Sequence, residues 1–207
     1  MPKQESSLLQ LQQWLPDGCL EMVMQYLQEY KVHLTITRER SSVLGDYRNA
    51  HGGRNHRISV NGNLNPYSFL ITLLHELAHL LTYEKYGHRV PAHGAAWKNE
   101  YSEMLAGFME KGIFPDDIHQ ALRRSIINPA ASSCADEKLM RVLRRYDPPK
   151  EGVVLVEALA EGSFFAIKGN RVFRRLERVR KRIRCEEVAT GRIYLFSGIY
   201  EVTVVDR

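Results

Sequence analysis

Cysteine is scarce in this chain of 207 residues. Its three cysteines, Cys19, Cys134 and Cys185, are odd in number and show no C-x-x-C spacing. They provide neither a disulfide framework nor a cysteine-based zinc site, and they suit a reducing compartment. The length is sufficient for a hydrophobic core, so we expect the chain to fold without disulfides.

Long hydrophobic runs are also missing. The most apolar segment, residues 69–81, carries two histidines and a glutamate, which makes it too short and too polar to span a bilayer. The first fourteen residues contain Glu5 and several glutamines, where a signal peptide needs a basic start and an apolar run. We therefore expect a cytoplasmic protein with no membrane partner.

The net charge of +5 is distributed unevenly. Residues 1–130 hold 13 basic and 13 acidic side chains, whereas residues 131–207 hold 16 and 11. All eight histidines precede residue 120. This separation indicates a histidine-bearing part with balanced charge and a basic part that could bind a polyanion.

Hydrophobic periodicity predicts an α+β fold for the first part. Two N-terminal helices are expected on either side of a turn at residues 16–18, with Asp17 as the N-cap of the second. Residues 33–39 and 57–61 alternate apolar and polar side chains as half-buried strands do, and another strand could begin at residues 44–47. A small sheet is expected there.

Two longer helices are predicted after this sheet. Asn65 and Pro66 form a typical helix start, and the helix is expected to continue to Tyr86, before Gly87. A second helix is expected over residues 95–111. Its apolar stripe consists of Trp97, Tyr101, Met104, Leu105 and Phe108.

The first of these helices contains the motif H-E-x-x-H, formed by His75, Glu76 and His79. Side chains four residues apart share one helix face, so the two imidazoles could bind one metal ion while Glu76 reaches a water molecule. The helix is otherwise apolar, and unpaired ionisable groups are costly to bury. The alternative is a pair of core histidines satisfied by hydrogen bonds, with Glu76 facing water.

A catalytic zinc ion normally has a third protein ligand. From the residues alone, both His88 and His93 are candidates, and the glycine after His93 and its place before a helix favour it. Glu100 and Glu103 could also serve, although they would leave the His-Gly step unexplained.

The motif helix followed by His93, Gly94 and Trp97 resembles the SprT-like zinc metalloproteases over roughly residues 20–125. The resemblance implies a zincin-like domain over residues 1–146, Zn²⁺ held by His75, His79 and His93, and proteolysis with Glu76 as the catalytic base. Eukaryotic members digest proteins crosslinked to DNA. Many members continue into a four-cysteine zinc ribbon, which this chain lacks the cysteines to build.

A second domain is predicted over residues 147–207, after the stiff linker at residues 146–150. Short β-rich runs separated by glycine-containing turns favour a small β-barrel. These runs are residues 153–156, 164–167, 171–174, 179–185, 193–196 and 200–205.

The basic side chains of this domain are concentrated in residues 171–184, which hold eight Lys or Arg and one acid. If residues 178–185 form one strand, Arg178, Arg180, Arg182 and Arg184 share a face. Such a row beside the aromatic side chains of the domain could bind DNA or RNA. Alternatively, the aromatics form the core and the charges are a solvated face.

The leading hypothesis is therefore a zinc-dependent endopeptidase with a basic tail. The rival hypothesis is a nucleic-acid-binding protein whose zinc site is structural or catalytically idle. The residue that stabilises the oxyanion is left open, with Tyr83, Tyr86, His88 and Arg89 as candidates.

Overall fold

The chain divides into two compact units, Met1–Asp147 and Pro148–Arg207, called here the N-terminal and the C-terminal unit. Each unit has its own hydrophobic core. The computed structural model describes residues 8–40, 43–131 and 136–205. No helix within these ranges is long and apolar enough to cross a membrane.

Glu5 and Cys134 lie outside the described residues. The other two cysteines, Cys19 and Cys185, are buried free thiols. Burial raises the pKa of each of these thiols to about 11, so both are inert components of the two cores.

The described part of the N-terminal unit is an α+β structure. Its 3₁₀ helices are Leu8–Trp14, Gly87–Arg89 and Arg144–Tyr146. Its strands are β1 (His33–Thr37), β2 (Gly45–Arg48) and β3 (Arg57–Asn61). Its α-helices are α1 (Leu20–Glu29), α2 (Pro66–Tyr86), α3 (Ala95–Glu110), α4 (Asp116–Ser125) and α5 (Glu137–Leu143).

The N-terminal helices differ from the prediction in one respect. Asp17 is not the N-cap of α1; that position is occupied by Cys19, whose side chain makes no capping hydrogen bond. Gly18 adopts a φ of +80°, which extends the turn and delays the helix start beyond Asp17. The Asp17 carboxylate instead accepts a hydrogen bond from Gln12 at 3.5 Å.

The three predicted strands form one sheet with the order β1-β3-β2. β1 runs parallel to β3, and β2 runs antiparallel to it, with Gly45 opposite Val60. β2 is therefore an edge strand, and it packs beside α2. This arrangement brings an edge strand of the sheet close to the H-E-x-x-H helix.

The bounds of α2 agree with the prediction at both ends. The Asn65 side chain accepts a hydrogen bond from the Ser68 N–H at 2.9 Å, and Pro66 follows at the first helical position. Gly87 ends the helix with a φ of +60°, which suits glycine. Because α2 is buried along most of its length, it forms the centre of the N-terminal core.

The C-terminal unit contains the six remaining strands of the described chain. They are β4 (Val153–Leu155), β5 (Phe164–Ile167), β6 (Arg171–Val179), β7 (Arg182–Glu187), β8 (Ile193–Ser197) and β9 (Glu201–Val205). They pair antiparallel in the order β4-β9-β5-β6-β7-β8. The predicted barrel is wrong, because closure needs β4 to pair with β8, and these two end strands of the sheet do not pair with each other in the described residues.

The aromatic side chains of the C-terminal unit form its core. Phe165 and Phe173 are fully buried and stack with ring centroids 5.7 Å apart. Tyr194 and Phe196 are partly buried against the same cluster. This supports the structural alternative for these residues over a base-stacking surface, although the ring of Tyr200 remains 43% exposed.

Candidate metal centre

The structure brings together His75, His79 and His93. The first two lie one turn apart on α2, and the third lies in the connection between α2 and α3. One ligand atom of each histidine can be chosen so that all three lie within 4.8 Å of one another. The three side chains could therefore hold one metal ion.

The spacing of the imidazole nitrogens fits a zinc ion. The Nε2 atoms of His75 and His93 are 3.3 Å apart. Two nitrogens that each lie about 2.0–2.1 Å from a tetrahedral zinc ion are separated by about 3.3–3.4 Å. The ring centroid of His79 lies 5.1 Å from that of His75 and 4.6 Å from that of His93, so the three rings surround a common point.

The position of His93 depends on the tight turn that begins α3. Gly94 is the N-cap of this helix, and its N–H donates to the Pro91 carbonyl at 3.0 Å. A Cβ atom at Gly94 would lie 3.3 Å from atoms of Pro91, which leaves little room for a side chain. The His-Gly step thus lets the chain turn sharply just after His93.

Trp97 supports the three histidines from one side. Its ring is fully buried, with centroids 4.6 Å from His75, 5.3 Å from His79 and 4.8 Å from His93. Its indole N–H donates to the His75 carbonyl at 3.4 Å, and its ring stacks with that of Tyr101, with centroids 5.1 Å apart. Trp97 therefore fixes α3 against the part of α2 that carries the site.

The three imidazoles are held in the neutral form that binds metals. Burial, and to a lesser extent the neighbouring histidines, lower the pKa of His75 to about 3 and that of His79 to about 4. Burial also lowers the pKa of His93. Protons therefore compete weakly with a metal ion at neutral pH.

Glu76 is buried beside this group. Burial raises the pKa of its carboxyl to about 8; the nearby Asp46 adds to the increase, and Arg40 opposes it. The carboxylate lies against the backbone of β2, where a Cβ on Gly45 would be 2.6 Å from Glu76 Oε1. The Glu76 carboxylate and the backbone of Gly45 are thus in close contact.

A second group of polar side chains adjoins the site and was not predicted from the sequence. The Tyr47 hydroxyl lies 2.9 Å from His56 Nδ1, and His56 Nε2 lies 3.2 Å from Glu84 Oε1. The Ala50 N–H donates to the same Nδ1 at 3.2 Å, which places the ring proton of neutral His56 on Nε2, facing Glu84. The Tyr47 ring is parallel to His79, with centroids 6.4 Å apart.

The rival ligand candidates lie elsewhere in the structure. His88 packs against Tyr83, with ring centroids 5.1 Å apart. Both carboxylate oxygens of Glu100 accept hydrogen bonds from Lys85, at 2.7 and 2.8 Å, so Glu100 links α2 to α3. Among the described residues, neither belongs to the group that could hold a metal, and Glu103 does not either.

The predicted arginine row is not one strand, so this part of the prediction was wrong. Arg180 lies in the turn of the β6–β7 hairpin with a φ of +53°. Arg178 pairs with Ile183 across the hairpin, and paired residues share a face. Arg182 and Arg184 flank Ile183 on β7, so they lie on the opposite face from Arg178.

Most arginines around this hairpin are neutralised by glutamates of the same unit. The ion pairs are Arg171–Glu187, Arg174–Glu186, Arg175–Glu161, Arg178–Glu157 and Arg184–Glu177. In the described part of the chain, no such pair involves Arg180, Lys181 or Arg182, which are all exposed. These three side chains are called here the hairpin tip.

Fold and site define an α+β protein with a helix-borne group of three histidines that could hold a metal ion. Residues 12–111 match the family model described as the SprT-like family. The match confirms the resemblance to the SprT-like family over this segment, which includes His75, His79 and His93. No curated protein and no solved structure matches the chain. The zincin-like fold therefore stays a prediction.

Proposed function

We propose that this protein is a zinc-dependent endopeptidase that hydrolyses peptide bonds in protein substrates. The observation that carries the proposal is the grouping of three neutral imidazoles around one point, with Glu76 buried beside them on the same helix. The match of residues 12–111 to the SprT-like family is consistent with a metalloprotease-like function.

In this proposal His75, His79 and His93 hold the zinc ion. Three neutral protein ligands leave a coordination position open, as is typical of catalytic rather than structural zinc sites. When bound, zinc acts as a Lewis acid on the peptide carbonyl and lowers the pKa of a coordinated water molecule. Trp97 and Tyr101 keep the histidine rings in place on the buried side.

Glu76 acts as the general base and then as the general acid. One of its carboxylate oxygens accepts a proton from the attacking water and donates it to the leaving amine. Its pKa of about 8 in the metal-free site favours the protonated form at neutral pH. The pKa falls when a cation occupies the three histidines, because a nearby opposite charge favours the carboxylate.

The edge strand β2 provides a surface for the substrate main chain. Within the described residues it has a strand neighbour on one side only, and its first residue contacts Glu76. An extended peptide can add to such an edge through main-chain hydrogen bonds. We propose that β2 holds the substrate in this way, which explains how a peptide bond would be presented to Glu76.

The experiment compares wild type with Glu76→Gln in the hydrolysis of casein, followed by mass spectrometry. Wild type loaded with zinc is expected to cleave casein, and chelated wild type is not. Glu76→Gln should retain zinc and lose at least about 100-fold in rate, because the amide cannot accept the proton. Equal cleavage by the variant, purified identically, would indicate that Glu76 has no catalytic role.

We further propose that the hairpin tip binds nucleic acid, which would bring the peptidase to proteins bound or crosslinked to DNA. Arg180, Lys181 and Arg182 are three adjacent cations without acidic partners in the described part of the chain. The phosphate oxygens of a nucleic acid could pair with these cations. Contacts with the phosphate backbone need no particular base sequence.

The second candidate function is nucleic-acid binding by a protein whose zinc site is structural. It is favoured by the same hairpin tip, and it differs in what zinc does. A structural zinc ion contributes to folding, so its removal should unfold the N-terminal unit. Under the proposed function, chelation abolishes hydrolysis while far-ultraviolet circular dichroism at 25 °C retains the helical signal.

A further inference from the structure

The first residue of β2 lies directly against the proposed catalytic base. A Cβ atom on Gly45 would lie 2.6 Å from Glu76 Oε1, 2.8 Å from Glu76 Cγ and 2.8 Å from Thr72 Cγ2. The φ of Gly45 lies outside the left-handed region, so backbone conformation does not require glycine here. Glycine is needed because a side chain and the Glu76 carboxylate cannot occupy the same space.

β2 is fixed in this position by a buried amide. Asn61, which is 1% exposed, donates from Nδ2 to the carbonyls of Arg40 at 3.1 Å and Val43 at 3.0 Å. Its Oδ1 accepts from Thr37 at 3.1 Å and from Arg40 Nε at 2.8 Å. Both hydrogen-bonding atoms of the amide are thus used, and they hold the segment that leads into β2.

The backbone of β2 is also fixed by β3. The Asn61 N–H donates to the Leu44 carbonyl at 2.9 Å, and Gly45 stands opposite Val60 in the ladder. A larger residue at position 45 therefore cannot relieve its contact by moving the strand without breaking these bonds. The side chains of Glu76 and Thr72 are the parts that must move, and Glu76 makes the shortest contact.

We propose that Gly45 is a positioning residue, whose missing side chain sets where the Glu76 carboxylate lies relative to the three histidines. This inference rests on the proposed function of Glu76. Ordinary contact begins near 3.4 Å, so a methyl group at position 45 would displace the carboxylate oxygen by about 0.8 Å. A misplacement of about 1 Å can reduce an enzymatic rate about 100-fold.

Gly62 provides a matched control in the same unit. A Cβ there would lie 2.6 Å from Ile36 Cγ2, as close as the contact at Gly45, but the neighbour is an aliphatic side chain. Gly62 also has a φ outside the left-handed region. Gly62→Ala thus creates similar overcrowding without touching Glu76.

The test uses full-length, zinc-loaded wild type, Gly45→Ala and Gly62→Ala in casein hydrolysis. Gly45→Ala is expected to keep one zinc per chain and its KM, and to lose about 100-fold in kcat. Gly62→Ala should lower Tm by a similar number of degrees while leaving kcat within about twofold of wild type. Equal kcat in the two variants would overturn the positioning role.

A second measurement does not depend on activity. The decrease in Tm caused by Gly45→Ala is compared in wild type and in Glu76→Ala, which removes the carboxylate and the Cγ methylene. We expect the decrease to shrink by at least half in Glu76→Ala, because two of the three nearest contacts are removed and the one with Thr72 remains. The decrease caused by Gly62→Ala should be unchanged. Equal decreases for Gly45→Ala in both backgrounds would overturn the contact itself.

The two results separate this inference from the proposed function. A zinc-loaded wild type without any hydrolysis would contradict the proposed function, while the comparison of Tm would still measure the contact. An active wild type with an equally active Gly45→Ala variant would contradict the positioning role alone.

Discussion

The two units differ in where they place their ionisable side chains. In the described part of the N-terminal unit, His56, His75, Glu76 and Glu100 are buried. Among the acidic, histidine, lysine and arginine side chains that the structure describes in the C-terminal unit, only that of Glu187 is buried, and it is paired with Arg171. Burying such groups is costly unless a partner or a metal ion stabilises them. We therefore expect the proposed hydrolysis to take place in the N-terminal unit, whereas the charged side chains of the C-terminal unit act at its surface.

The largest effect is expected when a histidine is removed from the buried group of the N-terminal unit. His75→Ala, His79→Ala and His93→Ala are each expected to lower zinc content from about one ion per chain to nearly none after dialysis, because three ligands hold the ion. His88→Ala is the matched control and should keep its zinc, since His88 packs against Tyr83 instead. Metal analysis by mass spectrometry measures the content. An empty site in His88→Ala together with a full one in His93→Ala would contradict the assignment.

A smaller effect is expected when the buried carboxyl is titrated in the metal-free protein. The pKa of Glu76 is raised from 4.5 to about 8, so the folded state binds more protons than the unfolded state between these values. Stability from this group is present at low pH and is lost as pH rises through 8. Relative to Glu76→Gln, the free energy of unfolding should fall by about 2 kcal/mol between pH 6 and 8.

Glu76→Gln is the control for this titration, because it differs from wild type only at the buried carboxyl. His75 and His79 have lowered pKa values, so they contribute stability that is present above pH 6.5 and lost on acidification. Both proteins share this contribution, which cancels in the difference. Urea unfolding at each pH gives the two free energies. Parallel pH curves for wild type and Glu76→Gln would mean that Glu76 is not buried as described.

The smallest effect concerns the surface charge of the C-terminal unit. Replacing Arg180, Lys181 and Arg182 with glutamine should weaken binding to a labelled single-stranded oligonucleotide at least about tenfold. The slope of log affinity on log salt should flatten by about 2, since each phosphate contact contributes about 0.7 for single strands. Fluorescence anisotropy at several KCl concentrations measures both.

The control variant removes the same charge from the N-terminal unit. Lys111, Arg123 and Arg124 are exposed, and replacing them with glutamine changes the net charge equally. This variant should bind like wild type if the hairpin tip makes the contacts. If both variants bind equally, the hairpin tip contributes only to the overall charge of the protein.

Local signals made part of the N-terminal unit predictable. The bounds of α2 follow from Asn65, Pro66 and Gly87, each of which acts on its immediate neighbours. The H-E-x-x-H spacing also predicts that two histidines share a helix face. The contact of Gly45 with Glu76 could not be predicted, because it depends on how β2 packs against α2.

The two errors in the C-terminal unit, the single strand and the barrel, have separate physical reasons. Residues 178–185 alternate charged and apolar side chains except at Lys181, and the turn at Arg180 and Lys181 contains no glycine, asparagine or proline to mark it. One strand was therefore predicted where a hairpin occurs. The barrel was predicted from strand spacing, but closure depends on pairing between distant strands.

The proposed zinc site consists of His75, His79 and His93 with one coordination position open for water. X-ray absorption at the zinc K edge, on full-length protein with one zinc per chain, reports these ligands. We expect three imidazole nitrogens and one oxygen at about 2.0–2.1 Å. A sulfur ligand at about 2.3 Å, or a fourth imidazole in place of the oxygen, would show a closed site and contradict a catalytic centre.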